Sequence, residues 1–150
     1  MAKFGLYLIF CIFNVLSIEG RAAEWGVGTV LGQGSGLSLQ YREDEATGFH
    51  FSGRVEDEDR MSLELVHQQF YYPQLFGGKI MEFYSGVGME GQADRYSDHR
   101  EQYRLALLFG VQWEPMGFPL QVFADQAGLL GPLPFTSLYG RLQVGLRAVF

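Results

Sequence analysis

The chain has 150 residues, 47% of them hydrophobic and 15% aromatic, with 19% charged and a formal charge of −6. That apolar content excludes a disordered chain, and the acidic balance excludes the basic footprint of a nucleic-acid binder. Its 20 glycines, about twice the usual share of ~7%, exclude a helical bundle, because each interior glycine costs a helix ~1 kcal/mol.

Lys3 precedes an apolar run of 13 residues over 4–16. A bilayer span takes ~20 residues, so the run suits the helical core of an export signal rather than a membrane anchor. Gly20 and Ala22 supply small residues at −3 and −1 of a cleavage site. Residues 1–22 therefore read as a signal peptide and 23–150 as the mature domain. Cys11 follows Phe10 rather than a small residue, which argues against lipidation. The mature domain then holds no cysteine, and its stability cannot rest on disulfides.

From residue 25 onward, period-two alternation replaces any helical period. Strands are expected near 25–32, 37–43, 48–56, 60–71, 80–91, 102–114, 119–127 and 136–150. The last is the clearest: Leu138, Gly140, Leu142, Val144, Leu146, Ala148 and Phe150 share one face, while Arg141, Gln143 and Arg147 lie on the other. The sixth strand repeats the scheme, with Tyr103, Leu105, Leu107, Phe109, Val111 and Trp113 set against Arg104, Gly110, Gln112 and Glu114.

A soluble sandwich would turn the apolar faces inward, whereas a transmembrane barrel turns them toward lipid. An export signal and an even number of strands favour the barrel. So do aromatic residues at strand ends: Trp25, Tyr41, Tyr71, Tyr72, Trp113, Phe118 and Phe150 fall where odd strands begin or even strands end. That is the placement of an interfacial girdle. The fold expected is an all-β, eight-stranded antiparallel up-and-down barrel that spans a membrane.

The closing stretch 140–150 (GRLQVGLRAVF), alternating and ending on Phe150, resembles the C-terminal assembly signal of bacterial outer-membrane barrels. The mature domain as a whole resembles small barrels of the OmpA transmembrane-domain and OmpX type. On the stretches 26–39, 83–90 and 120–125 it is similar to a group of such barrels with no established reaction. The resemblance implies the outer membrane of a Gram-negative-type bacterium, outer-membrane lipid as the surroundings, and the barrel-assembly machinery as the reader of Phe150.

Parity assigns the lumen. Gln40, Arg42, His50, Arg54, Glu64, Gln68, Glu82, Glu90, Arg104, Gln112, Glu114, Gln121, Asp125, Arg141, Gln143 and Arg147 face inward. An eight-stranded barrel is just wide enough for side chains to fill. Arg54, Arg104, Arg141 and Arg147 are expected to pair with Glu64, Glu82, Glu114 and Asp125, the guanidinium fork holding carboxylates bidentately. Such a plug excludes a general diffusion porin, which needs roughly twice as many strands.

Three patterns carry possible chemistry. Gly86-Val-Gly88-Met-Glu-Gly91 matches a dinucleotide fingerprint by letter, but no helix follows to hold a pyrophosphate, so no cofactor is expected. His50 and Ser52 with Glu64 resemble the histidine, serine and glutamate of outer-membrane lipid A deacylases, giving a hydrolase as the alternative function. That set departs from the family: its motif here is shorter and farther from the C-terminus, and alternation turns it inward rather than toward lipid. Asp94, Asp98 and His99 lack the spacing of a calcium loop, so no metal is expected.

With both termini at the inner face, the outer connections are 33–36, 57–59, 92–101 and 128–135. The last is apolar, stiffened by Pro132 and Pro134, and reads as a lid or as a contact surface built on Leu129, Leu130, Leu133 and Phe135. The sequence thus points to a non-enzymatic barrel acting in envelope structure or surface interaction through its outer loops, with an extracellular or envelope protein as possible partner. A small ligand-binding barrel is the third reading.

Overall fold

The computed structural model describes residues 24–57, 60–71, 81–94, 102–114, 119–131 and 137–150. Its strands are β1 (Glu24–Gly32), β2 (Gly34–Arg42), β3 (Thr47–Asp57), β4 (Arg60–Tyr71), β5 (Met81–Asp94), β6 (Gln102–Trp113), β7 (Leu120–Leu130) and β8 (Leu138–Val149). Each pairs antiparallel with the next, and β8 returns to β1, so the sheet closes into an eight-stranded barrel without edges. The seam runs from Gly26 opposite Val149 to Gly32 opposite Gln143. Beyond it, the Phe150 N–H donates to the Trp25 carbonyl at 2.8 Å, and the Trp25 N–H donates back at 3.1 Å.

All eight strands lie where alternation places them, and β2, β5 and β7 each run three residues past an expected end. β2 starts at Gly34 because only Gln33 turns the chain, Gly32 pairing directly with Gly34. Gly34 can make that turn at φ +109°, a conformation that side chains rarely adopt. β5 continues to Asp94, opposite Arg60. β7 continues to Leu130, between Leu105 and Leu138. Leu129 and Leu130 are therefore wall residues, not loop: Leu129 is buried in the lumen at 3% exposure and Leu130 occupies the outer face. Leu133 and Phe135 lie outside the described residues.

The walls are inverted relative to a soluble protein. Outward positions expose Leu37, Phe51, Leu65, Val87, Phe109, Leu142 and Leu146, while Arg54, Glu64, Glu90, Arg141 and Arg147 are buried inside. One side of the lumen is nonetheless apolar, where Val66, Phe70, Tyr84, Ala106, Leu108, Ala127 and Leu129 pack together from β4 to β7. Alternation alone conceals this seam, because the outward face of the same strands is apolar too.

At one end of the barrel sit both described termini and the β2–β3, β4–β5 and β6–β7 connections; the four hairpins β1–β2, β3–β4, β5–β6 and β7–β8 define the other. Trp25 and Tyr41 are in ring contact at the terminal end, with centroids 4.6 Å apart, and Tyr71, Trp113 and Phe150 are exposed there. Tyr72 and Phe118 fall outside the described residues. At the β2–β3 turn the Asp44 carboxylate accepts hydrogen bonds from the N–H groups of Ala46 (2.7 Å) and Thr47 (2.6 Å). Those two bonds hold its pKa below the ordinary value of 3.8.

Glycines on the inner face make room for large neighbours. A methyl on Gly145 would run into the Phe123 ring, and one on Gly110 into Tyr84. Gly145→Ala should therefore cost about 1–3 kcal/mol through overpacking, read as a lower urea midpoint of the barrel folded in lipid vesicles. Asp44 sets a second expectation. A depressed folded-state pKa adds stability that is present above the unfolded value and lost as pH falls through the folded one. Asp44→Ala should thus narrow the stability difference between pH 7 and strongly acidic pH, measured by the same urea titration.

Candidate functional site

The lumen holds the chain's densest polar chemistry, and it is layered along the barrel axis. Near the hairpin end, Glu90 on β5 is shared by three arginines. Arg54 Nη2 lies 2.5 Å and Arg104 Nη1 3.4 Å from its carboxylate, and Arg141 Nη1 is ion-paired to it as well. Arg141 reaches Glu64 with its other terminal nitrogen. Arg54 also donates to Gln143 at 2.8 Å and to Ser62 at 3.2 Å. These side chains are buried except Arg104, which rises into the mouth and stacks 4.9 Å from the Tyr139 ring.

The middle layer is organised differently. Arg147 is fully buried, yet it has no carboxylate within ion-pair distance among the described residues. It instead lies 3.6 Å over the Phe123 ring and donates to Ser38 at 2.8 Å and Gln121 at 3.0 Å. Asp125 accepts a hydrogen bond from the Tyr84 hydroxyl at 2.9 Å. Near the terminal end, Glu82 takes both terminal nitrogens of Arg42, at 2.9 and 3.2 Å, and Arg42 lies over Phe70. Gln40 donates to Gln68 and Gln112 beside them, and Gln121 donates to Glu114 at 2.9 Å.

The eight charged residues expected to pair in the lumen all face inward, but the partners are redistributed. Arg54, Glu64, Glu82, Arg104 and Arg141 enter ion pairs. Arg147, Asp125 and Glu114 do not: an aromatic ring, a tyrosine hydroxyl and a glutamine amide take those places. The two residues that complete the network, Glu90 and Arg42, were legible as inward-facing but not as ion partners. Tyr84 was missed, although it shares the inward parity of Glu82 and Glu90.

His50, Ser52 and Glu64 do not assemble into a nucleophile–base–acid set. Ser52 and Glu64 are opposite each other on β3 and β4. The imidazole, however, bonds the Ser38 hydroxyl at 3.0 Å, and the carboxylate is held by Arg141. No polar atom accepts from or donates to the Ser52 hydroxyl or His50 Nδ1 among the described residues. All three side chains are sealed in the lumen, away from the lipid-facing wall. Nucleophilic attack by a serine hydroxyl needs a general base in hydrogen-bond reach of it and a carboxylate behind that base, and this chain of contacts does not supply it.

The glycine fingerprint lies entirely within β5, with Gly86 and Gly88 against Val66 and the β4 backbone. Asp94 ends the same strand, while Asp98 and His99 lie outside the described residues. At the mouth, a recess of about 250 Å³ is lined by Glu56, Arg60, Glu90, Gln92, Arg104 and Tyr139, among others. It is polar, so it is not the enclosed apolar cavity that would support a small ligand-binding barrel.

Fold and lumen together define the class: a small eight-stranded antiparallel barrel with an apolar exterior and a charged, side-chain-filled interior. Solved structures of outer-membrane proteins share the fold. The N-terminal β-barrel domain of Pseudomonas aeruginosa OprF superposes with a TM-score of 0.64 at 14% identity, covering 85% of this chain and 96% of that domain. The Yersinia pestis outer-membrane protein Ail in a phospholipid bilayer nanodisc gives 0.54 at 13% identity, over 85% of this chain and 98% of Ail. The crystal structure of Ail, the attachment invasion locus protein, gives 0.51 at 15% identity, over 89% and 100%. No protein-family model and no curated protein sequence matches the chain.

Glu90 is the residue whose loss should matter most inside the lumen. Glu90→Gln leaves three guanidinium groups around a neutral amide, and breaking a buried pair costs about 3–5 kcal/mol. Glu114→Gln, at a half-buried carboxylate that among the described residues is bonded only to an amide, should cost far less. Urea midpoints of the two variants, refolded in parallel, check the order.

Proposed function

We propose that the chain is an integral outer-membrane barrel without enzymatic activity, which serves envelope structure or surface interaction through its hairpin-end loops. The observation that carries this reading is the inversion of the wall: apolar residues cover the outside of a closed barrel while the charges are buried within. In water such a surface would aggregate; in a bilayer the closed sheet pairs the strand backbone and most lipid-facing side chains are matched to hydrocarbon. The likeness in fold to OprF and Ail, both outer-membrane proteins, supports the same location. Residues 1–22 are proposed as the cleaved export signal, and β8 with Phe150 as the segment read by the assembly machinery.

The filled lumen supports a role outside the barrel. Ion pairs and glutamines occupy the interior from Glu90 down to Glu82, leaving the mouth and the connections around it as the surface available to a partner. The hydrolase reading lacks support from the geometry, since His50 is engaged with Ser38 rather than Ser52.

Two measurements test the proposal. An unboiled sample from the outer-membrane fraction should migrate differently from a boiled one, because a closed barrel resists detergent until heated. Equal migration, with the protein recovered in the periplasm, would overturn it. Phe150→Ala should lower the heat-shifting fraction while leaving export intact; unchanged outer-membrane levels would remove Phe150 from the assembly step.

A further inference from the structure

The apolar exterior carries a few outward polar side chains well inside the strands, among them Thr29 on β1, His67 on β4 and Gln126 on β7. Gln126 is the seventh of the 11 residues of β7, faces outward, and is exposed. Its neighbours across the sheet are Phe109 on β6 and Leu142 on β8, which stand 68% and 66% exposed. No hydrogen bond to the Gln126 amide exists among the described residues. Hydrocarbon offers neither donor nor acceptor, so an amide held there is favoured only where another protein group reaches it. The exterior hydroxyls nearby are already paired with each other, Tyr71 with Ser85 at 3.1 Å.

Beside Gln126 the wall is hollow. Small residues, Ser85, Gly110 and Ala124, form the floor of a groove of about 590 Å³ between the raised side chains of Tyr71, Phe109 and Leu142. The patch thus carries a knob and a hole side by side, and a primary amide that both donates and accepts. Those are the requirements of an isologous contact, in which one surface meets its own copy across a two-fold axis.

We propose that this β5–β8 face is a dimer interface between two copies of the chain within the membrane. The two Gln126 amides exchange hydrogen bonds, and Phe109 of each copy seats in the groove of the other. An acyl chain could fill the groove but would leave both amides unmet, which is why a second copy is the favoured occupant. The proposal rests on the membrane-barrel reading above.

The test uses the full-length chain in its membrane, with Cys11→Ser removing the only native cysteine. Single cysteines are placed at Gln126 and Leu142 on the proposed face and at Leu37, equally exposed on β2 of the far wall. Mild oxidation should crosslink Q126C and L142C into dimers and leave L37C monomeric. Adding Gln126→Leu to L142C should abolish its crosslink, and Gln126→Asn should restore part of it. Equal crosslinking at Leu37, a crosslink that survives Gln126→Leu, or none at any position would overturn the proposal. A heat-dependent mobility shift retained by every variant would show that the barrel reading stands even if the dimer fails.

Discussion

A carboxylate shared by three guanidinium groups in a closed, side-chain-filled lumen is the constraint around which the barrel is arranged. Because the outer wall is apolar, almost every charge in the strands must turn inward, and each must find a partner within the width that eight strands enclose. Near the hairpin end, the carboxylates that Arg54, Arg104 and Arg141 pair with among the described residues are Glu64 and Glu90. Arg104, the one at the mouth, also lies over the Tyr139 ring and donates to Gln102. Arg147, deeper down, has a ring and neutral oxygens in place of a carboxylate. The glycines follow from this crowding: Gly145 lies under the ring that Arg147 stacks on, and Gly110 under the tyrosine that holds Asp125.

How much of this was legible in the sequence depends on which step of the fold is asked about. Alternation from Leu138 to Phe150 and from Tyr103 to Trp113 fixes which side chains share a face, and the count of strands closes the barrel. Parity alone therefore placed Arg54, Glu64 and Arg141 inside. What parity does not carry is depth. Arg54 and Glu90 are 36 residues apart, Arg141 and Glu64 are 77 apart, and which of several inward residues come level depends on the stagger of the strands around the barrel. Arg147 was accordingly expected opposite a carboxylate and is found over Phe123. Strand ends failed for a different reason. Leu129 and Leu130 sit next to Gly131-Pro132, and their apolar character suits loop, lid or wall equally; only pairing with Leu105 and Leu138 decides it.

The same filling limits what the molecule can do. Among the described residues the lumen is crossed by Arg54–Glu90, Gln40–Gln68 and Arg42–Glu82 contacts, and His50 is engaged with Ser38. The proposed function accordingly falls on surfaces that face something other than the core: the mouth, the connections around it, and the lipid-facing wall that carries Gln126.

At the centre stands the inversion of the wall: Phe109 and Leu142 face hydrocarbon while Glu90 faces a packed interior. A spin label at Leu65, outward at mid-strand on β4 and away from the β5–β8 face, tests it most directly. Embedded in a bilayer, that label should relax with dissolved oxygen and be shielded from a water-soluble nickel complex. Accessibility to nickel equal to that of a label on the Asp44 turn would contradict the account, because it would place the apolar wall in water.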